Sequence, residues 1–195
     1  WTYMVQLPFL VFTAAVVTGF ILPRYRAAGV ISIYTFLFEL LSNKVYPMPH
    51  LQGTLAQLHK KGYPLGIVSN AQFYTPMIVN HFLGTRCMET LQIKNIDPNL
   101  AIYSFQQGRS KPDATLFRTL KQRLRENYGI TPEETIYVGN DMYKDIYPAS
   151  QAGFKTVLFA GDKRSLRLRK DHKDLQHTRP DHIIKDLRTI LEIVG

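Results

Sequence analysis

The sequence predicts an α/β fold, a doubly wound parallel sheet with helices on both faces. Short, continuously apolar runs alternate with segments whose apolar residues recur at helical spacing. Strands that are buried on both faces are apolar throughout, and parallel strands require crossover helices between them. At 195 residues, with 45% apolar and 20% charged residues, the chain has the size and composition of a single globular domain.

The N-terminal part of the chain divides into two regions. Residues 1–26 are mostly apolar and have no assigned role, and the run 5–22 predicts a buried or displaced segment. A membrane anchor is the alternative, because this run reaches the lower limit of a bilayer-spanning length. A core of 27–195 then begins with a predicted amphipathic helix within 27–46, and Pro47 and Pro49 cannot continue it.

Helices and strands then alternate to the C-terminus. The periodicity predicts helices over 51–60, 73–82 and 114–128, in DIYPASQAG and in RTILEIV. It predicts strands over 64–69 and in NLAIYSFQQG, ETIYVGN, KTVLFAG and DHIIKDL. Ligands bind to such sheets outside the carboxyl ends of the strands, so polar residues at those ends are candidate site residues.

Charge and cysteine content restrict the partners and the compartment. The net charge is +9, and the densest basic cluster, within 163–173, lacks the interleaved aromatic residues of a single-strand nucleic-acid platform. We therefore expect a solvated, substrate-steering loop and no nucleic-acid partner. Cys87 is the only cysteine, which excludes an internal disulfide and favours a reducing compartment, the cytoplasm.

Two polar signatures indicate an anion site. Ser69 and Asn70 follow a buried strand, where a hydroxyl and backbone N–H groups can hold a phosphate oxygen. The alternative is a simple helix N-cap. Lys111, in GRSKPD, precedes a long helix and can neutralise a phosphoryl group and a carboxylate together. The alternative there is a surface lysine before a proline in the first helical turn.

A third signature indicates a divalent metal. Asp141 and Asp145 begin at a strand end and lie about one helical turn apart, so both carboxylates can face one pocket. Carboxylate oxygens suit Mg²⁺, which retains waters and substrate oxygens as its other ligands. Capping of the following helix is the competing explanation. Asn140 directly precedes this pair and adds a further oxygen ligand.

The order and spacing of these signatures resemble motifs two, three and four of the haloacid dehalogenase-like (HAD) superfamily of hydrolases. The resemblance is to a phosphatase-like subgroup and covers approximately residues 27–195. The phrases that carry it are NKVYPMP, GIVSNAQFYTP, GRSKPD, YVGNDMYKDIYPASQAGF and LFAGDKRSLRLR. The resemblance implies a Mg²⁺-dependent phosphatase that acts on a small phosphorylated metabolite, and it makes residues 27–46 the remnant of a helical cap.

The resemblance also implies a role for each candidate residue. Ser69, helped by Asn70, would bind the phosphoryl group, and Lys111 would hold that group together with the nucleophile. Asp141 would be a Mg²⁺ ligand, supported by Asp145. Because family members differ by one residue in this spacing, Asn140 is the alternative first ligand.

The first motif of the family has no counterpart in the sequence. That motif is a strand ending in DxDxT, whose first aspartate attacks phosphorus and whose second acts as general acid and base. No aspartate occurs before Asp97, and AAVVTGFILP offers Thr18 and Gly19 where carboxylates are needed. In the family fold the missing strand lies between those ending at Ser69 and Asn140. We therefore expect the chain as given to be inactive.

Three explanations for the missing motif remain open. The chain is a truncated fragment that has lost its catalytic strand, an inactive homologue that binds phosphate or a partner, or an enzyme whose nucleophile comes from another residue or subunit. The sequence identifies neither the substrate nor the oligomeric state.

Overall fold

The computed structural model describes residues 38, 46–83 and 93–195. Trp1–Tyr46 and Pro47–Gly195 form separate compact units, and the second contains almost all of the described residues. The expectations for residues 1–26, for the run 5–22 and for the helix within 27–46 therefore concern segments outside the described residues. None of the described helices is long and apolar enough to cross a bilayer.

The described strands are all parallel and form two sheets. β1 (Ile67–Ser69) pairs with β2 (Ala101–Tyr103). β3 (Ile136–Gly139) pairs with β4 (Lys155–Phe159), which in turn pairs with β5 (His182–Ile184). The α/β class and the parallel pairing are confirmed, but the described strands do not join into one continuous sheet.

The helices lie close to the predicted segments, except the short helix within NLAIYSFQQG, where the sequence predicted only a strand. Their bounds are α1 (Leu51–Lys60), α2 (Thr75–Phe82), α3 (Ser104–Gln107), α4 (Ala114–Tyr128), α5 (Tyr147–Gln151) and α6 (Ile190–Ile193). α1 and α4 have the predicted bounds. A π-helical turn, Met142–Ile146, precedes α5, and a 3-10 turn, Leu187–Thr189, precedes α6.

Helices cover both faces of the strands, as the doubly wound prediction requires. One apolar cluster joins α4 to β1, β2 and β3 and contains Val68, Ile102, Leu116, Phe117, Leu120 and Tyr137. Another joins α1 and α6 to β4 and β5 and contains Leu58, Val157, Phe159, Ile184 and Ile190. Successive strand residues point to opposite faces, so Leu158 packs with Met142 and Ile146 instead.

β1 and β3 each lie at an edge of their described sheet. β2 lies on one side of β1, whereas β4 and then β5 follow on one side of β3. No strand among the described residues pairs with the other side of β1 or of β3. In a doubly wound sheet, ligands bind at the carboxyl ends of the strands, at the switch point, and we expect that point to lie between β1 and β3.

Asp181, which directly precedes β5, forms hydrogen bonds to Thr156 in β4. Its Oδ2 accepts hydrogen bonds from Thr156 N at 2.7 Å and from Thr156 Oγ1 at 2.8 Å. The bond from the Thr156 amide, followed by that from its hydroxyl, lowers the pKa of Asp181 against the opposing effect of partial burial. Thr156 itself is fully buried, so both of its donors depend on this carboxylate.

The lowered pKa of Asp181 predicts an acid-dependent loss of stability. An aspartate in the unfolded chain titrates at about pH 3.9. The contribution of Asp181 to the unfolding free energy is therefore complete above that pH and is lost as the pH falls through the lower pKa of the folded state. We expect Asp181→Asn to show a smaller loss of unfolding free energy than the parent chain between about pH 5 and about pH 2. Urea denaturation at a series of pH values measures this difference.

Asp171→Asn is the matched control, because Asp171 is exposed and has no hydrogen-bond partner recorded among the described residues. It should retain the acid dependence of the parent chain. An unchanged acid dependence in Asp181→Asn would contradict the role given to this carboxylate.

Candidate functional site

The candidate residues lie at the carboxyl ends of β1 and β3. Ser69 is the last residue of β1 and Asn70 follows it, whereas Asn140 and Asp141 follow Gly139 at the end of β3. Lys111 comes from the loop before α4, and its side chain reaches both strand ends. The predicted site residues therefore belong to one region of the fold, at the switch point.

Asn70 holds the backbone of Lys111. Its Oδ1 accepts a hydrogen bond from Lys111 N at 2.6 Å, and its Nδ2 donates to Lys111 O at 3.2 Å. The N-cap of α2 is Tyr74, so Asn70 does not cap that helix. The half-buried Ser69 lies beside this contact, and its hydroxyl has no partner recorded among the described residues.

The Lys111 ammonium group has a hydrogen-bond acceptor for each of its three donors. Its Nζ lies 2.6 Å from Asp145 Oδ1, 3.0 Å from Val68 O and 3.4 Å from Tyr137 Oη. These contacts use all of the donors that an ammonium group carries. Because the side chain is only 13% exposed, Lys111 is not an ordinary surface lysine. The N-cap of α4 is Asp113, so Pro112 does not begin the helix.

Asp145 is the buried partner of Lys111. Its Oδ2 accepts hydrogen bonds from the amides of Asn140 and Asp141, each at 3.1 Å, while Oδ1 faces the ammonium group. A buried carboxylate is stable only when it is paired and hydrogen-bonded, and both conditions are met here. The close approach depends on Gly139, where a Cβ atom would lie 2.3 Å from the Asp145 Cβ.

Asp141 has two sets of partners. Its Oδ1 caps the π-helical turn by accepting from Tyr143 N at 2.9 Å and Lys144 N at 3.0 Å, which is the capping role considered from the sequence. The Arg169 guanidinium also forms a bidentate ion pair with the Asp141 carboxylate, with Nε 2.8 Å from Oδ1 and Nη2 2.7 Å from Oδ2. Sequence reasoning did not identify Arg169 as a site residue.

The Arg169 contact is positioned by residues 160–172, which we call the basic loop. Arg167 N donates to Asn140 O and Met142 N donates to Arg167 O, both at 2.9 Å, so the loop bridges the end of β3. Asn140 Nδ2 donates to Ser165 O at 2.7 Å. These bonds join residues about 25 positions apart in sequence, which no local periodicity could reveal.

Burial, hydrogen bonds and neighbouring charges shift pKa values in the site, among them those of Asp141 and Tyr137. Burial raises the pKa of Asp141, but the hydrogen bonds from Arg169 and from the Lys144 and Tyr143 amides outweigh burial, and the pKa is lowered overall. Burial raises the pKa of Tyr137 well above its ordinary value, and the negative charge of Asp145 adds to the effect. Asp141 is therefore ionised at neutral pH, and Tyr137 is a neutral phenol.

The predicted metal ligands do not fit Mg²⁺ as they are arranged. The ion requires oxygen ligands in near-octahedral geometry, at about 2.0–2.1 Å. All of the carboxylate oxygens of Asp141 and Asp145 already accept hydrogen bonds from cationic groups or amides. In the part of the chain that the structure describes, no group of three or more His, Cys, Asp or Glu side chains could hold a metal ion.

Comparison with known proteins agrees with this fold. The model of the haloacid dehalogenase-like hydrolase family matches residues 30–159. A glyceraldehyde 3-phosphate phosphatase of Pyrococcus furiosus is 28% identical over 172 residues, which are 88% of this chain and 62% of that protein. The chain thus spans less than two thirds of the length of this relative.

Solved structures show the same fold. A HAD phosphatase from Thermococcus onnurineus superimposes with a TM-score of 0.57 at 24% identity, covering 84% of this chain and 70% of the other. YfnB from Bacillus subtilis, a HAD hydrolase solved with bound magnesium, gives a TM-score of 0.61 at 18% identity, with 87% and 64% covered.

The approach of Asp145 to Gly139 predicts a destabilising substitution. In Gly139→Ala the added methyl group would displace the Asp145 carboxylate from Lys111 and from the two amides. We expect a loss of about 2 kcal/mol in unfolding free energy, as for an overpacked core, measured by urea denaturation.

Gly53→Ala is the control for this substitution. Gly53 lies inside α1, and a Cβ atom there would meet no atom within 4 Å. The helix should gain up to about 1 kcal/mol from the better helix former. A Gly139→Ala variant as stable as the parent would show that this packing does not constrain Asp145.

Proposed function

We propose, since this chain belongs to the haloacid dehalogenase-like hydrolase family, that the ends of β1 and β3 form the phosphate site of a phosphatase-type hydrolase. One hydrogen-bonded network carries the proposal, because it joins Asn70, Lys111, Asp145 and Asp141 at the switch point of the strands. The phosphatase name of the Pyrococcus furiosus relative supports a small phosphorylated metabolite as the substrate class.

Two features of the described residues suggest where a phosphoryl group would bind, namely the Ser69 hydroxyl, which has no hydrogen-bond partner among them, and the long contact between Lys111 Nζ and Tyr137 Oη. The Ser69 hydroxyl at the end of β1 would donate to a phosphoryl oxygen. A second oxygen would replace Tyr137 as a partner of Lys111, because their 3.4 Å contact is the longest of the three at Nζ. Asn70 would act indirectly, since its side chain positions the backbone of Lys111.

We propose that the chain as given binds phosphate without turnover. Nucleophilic catalysis needs an accessible carboxylate, and both acids at the site are held in ion pairs, Asp145 with Lys111 and Asp141 with Arg169. The resemblance implies Mg²⁺ as the cofactor, but an ion at Asp141 would require Arg169 to leave. The ion is therefore no part of the arrangement proposed for phosphate.

A non-catalytic phosphate-binding protein of the same fold is the second candidate. The internal pairing of both site acids favours it, because a binding protein has no need of a free nucleophile. The two candidates differ in whether a DxDxT-type motif belongs to the same protein. Reading the encoding gene upstream of Trp1 tests this: an in-frame motif supports the enzyme, and a start codon at Met4 supports the binding protein.

The proposed site predicts phosphate binding that depends on Ser69. Titration with inorganic phosphate, followed by calorimetry, should show about tenfold weaker binding for Ser69→Ala, since a hydrogen bond to a charged group contributes about 1.5 kcal/mol. Ser150→Ala, at an exposed position in α5, should bind phosphate like the parent chain. Equal binding by all three proteins would overturn the phosphate site.

The same protein should not release phosphate from glyceraldehyde 3-phosphate in the presence of Mg²⁺. A colorimetric phosphate assay measures this directly. Robust release that is abolished by Asp141→Ala would mean that the nucleophile lies among the described residues and that the proposal of binding without turnover is wrong.

A further inference from the structure

We infer that Ser104 is a positioning residue for the proposed phosphate site, and that it acts by fixing the backbone next to the Ser69 hydroxyl. Ser104 directly follows β2 and is the first residue of α3. The inference rests on the proposed function, because it takes Ser69 as the residue that contacts phosphate. Sequence reasoning identified only a strand in this segment, NLAIYSFQQG, and gave Ser104 no role.

The first support is a pair of hydrogen bonds between Ser104 and Ala71. Ser104 Oγ accepts from Ala71 N and donates to Ala71 O, both at 3.0 Å. A hydroxyl carries one donor and two acceptor sites, so both bonds can exist together. Ala71 is 4% exposed, and among the described residues no other partner is recorded for its backbone N–H or C=O group. Because buried backbone groups are costly to leave unpaired, the conformation at Ala71 depends on this hydroxyl.

The second support is the place of this contact in the fold. β1 and β2 pair in register, and Ser69 with Tyr103 is the last pair of their ladder. Ala71 and Ser104 lie just beyond that pair. The Ser104 side chain therefore continues the connection between the two strands after the backbone ladder has ended, and it holds the chain that leaves β1 against the end of β2.

The third support is a second anchor on the neighbouring residue. The Asn70 side chain forms two hydrogen bonds with the Lys111 backbone, at 2.6 and 3.2 Å. The two residues after Ser69 are thus fixed to different segments, Asn70 to the loop before α4 and Ala71 to the start of α3. A hydroxyl and an ammonium group that contact the same anion bind it best when their spacing is set before binding. The two anchors together set that spacing.

These contacts predict that Ser104 acts indirectly. The one donor of its hydroxyl is used at Ala71 O, so Ser104 does not donate to phosphate in this arrangement. Removal of the hydroxyl would leave the Ala71 N–H and C=O groups without their recorded partner and would free the backbone beside Ser69. Its effect on phosphate binding would therefore pass through Ser69.

Phosphate titration of matched variants tests the inference. Calorimetry with inorganic phosphate should show about fivefold weaker binding for Ser104→Ala than for the parent chain, a change of the size that one neutral hydrogen bond supports. Ser104→Thr keeps the hydroxyl and should restore the parent affinity. Thr119→Ala is the control, because it also removes a hydroxyl that donates to a backbone carbonyl, that of Thr115 at 3.0 Å, but within α4. It should bind phosphate like the parent chain.

The double variant Ser69→Ala/Ser104→Ala separates positioning from a general structural effect. Because Ser104 acts through Ser69, the double variant should bind phosphate no more weakly than Ser69→Ala alone. Additive losses would overturn the inference. Equal binding by Ser104→Ala and the parent chain, with weaker binding by Ser69→Ala, would overturn the inference and leave the proposed function intact. No binding by the parent chain would overturn the proposed function and the inference with it.

Amide hydrogen exchange, followed by nuclear magnetic resonance without phosphate, tests the contact itself. The Ala71 amide should exchange about tenfold or more faster in Ser104→Ala than in the parent chain, because its hydrogen-bond acceptor is gone. The amide of Val157, which is fully buried in β4, is the internal control and should keep its rate. An Ala71 rate that is unchanged, or that rises only in step with that of Val157, would contradict the inference.

Discussion

The ion pair between Lys111 and Asp145 is the interaction on which the site depends. It is buried at the ends of β1 and β3, and its ammonium group also contacts Val68 O in β1 and Tyr137 Oη in β3. Two charges removed from water are expensive unless geometry and further hydrogen bonds compensate. The amides of Asn140 and Asp141 supply those bonds, so the pair links the two described sheets at their switch point.

Local charge balance follows from this arrangement. The chain carries a net charge of +9, yet the site itself contains two cations, Lys111 and Arg169, opposite two carboxylates, Asp145 and Asp141. Each cation has a carboxylate partner at 2.6 or 2.7 Å. A phosphate or a metal ion must therefore compete with an internal partner, so ligand binding and the internal ion pairs are coupled.

Much of the fold and part of the site could be predicted from the sequence. The strong periodicity of α1 and α4 fixed their bounds, and the apolar runs placed Ser69 and Asn140 at strand ends. The hydrogen bonds of Asn70 to the Lys111 backbone and the ion pair of Arg169 with Asp141 could not be predicted, since they join residues 41 and 28 positions apart in sequence. Such contacts depend on tertiary placement, which periodicity does not encode.

A double-mutant cycle on Lys111 and Asp145 tests the central claim most directly. Lys111→Met, Asp145→Asn and the double variant are compared with the parent chain by urea denaturation; asparagine retains an acceptor for the Asn140 and Asp141 amides. The buried pair predicts a coupling energy of about 2 kcal/mol, with the double variant more stable than the sum of the single losses implies. Additivity within about 0.5 kcal/mol would contradict the account.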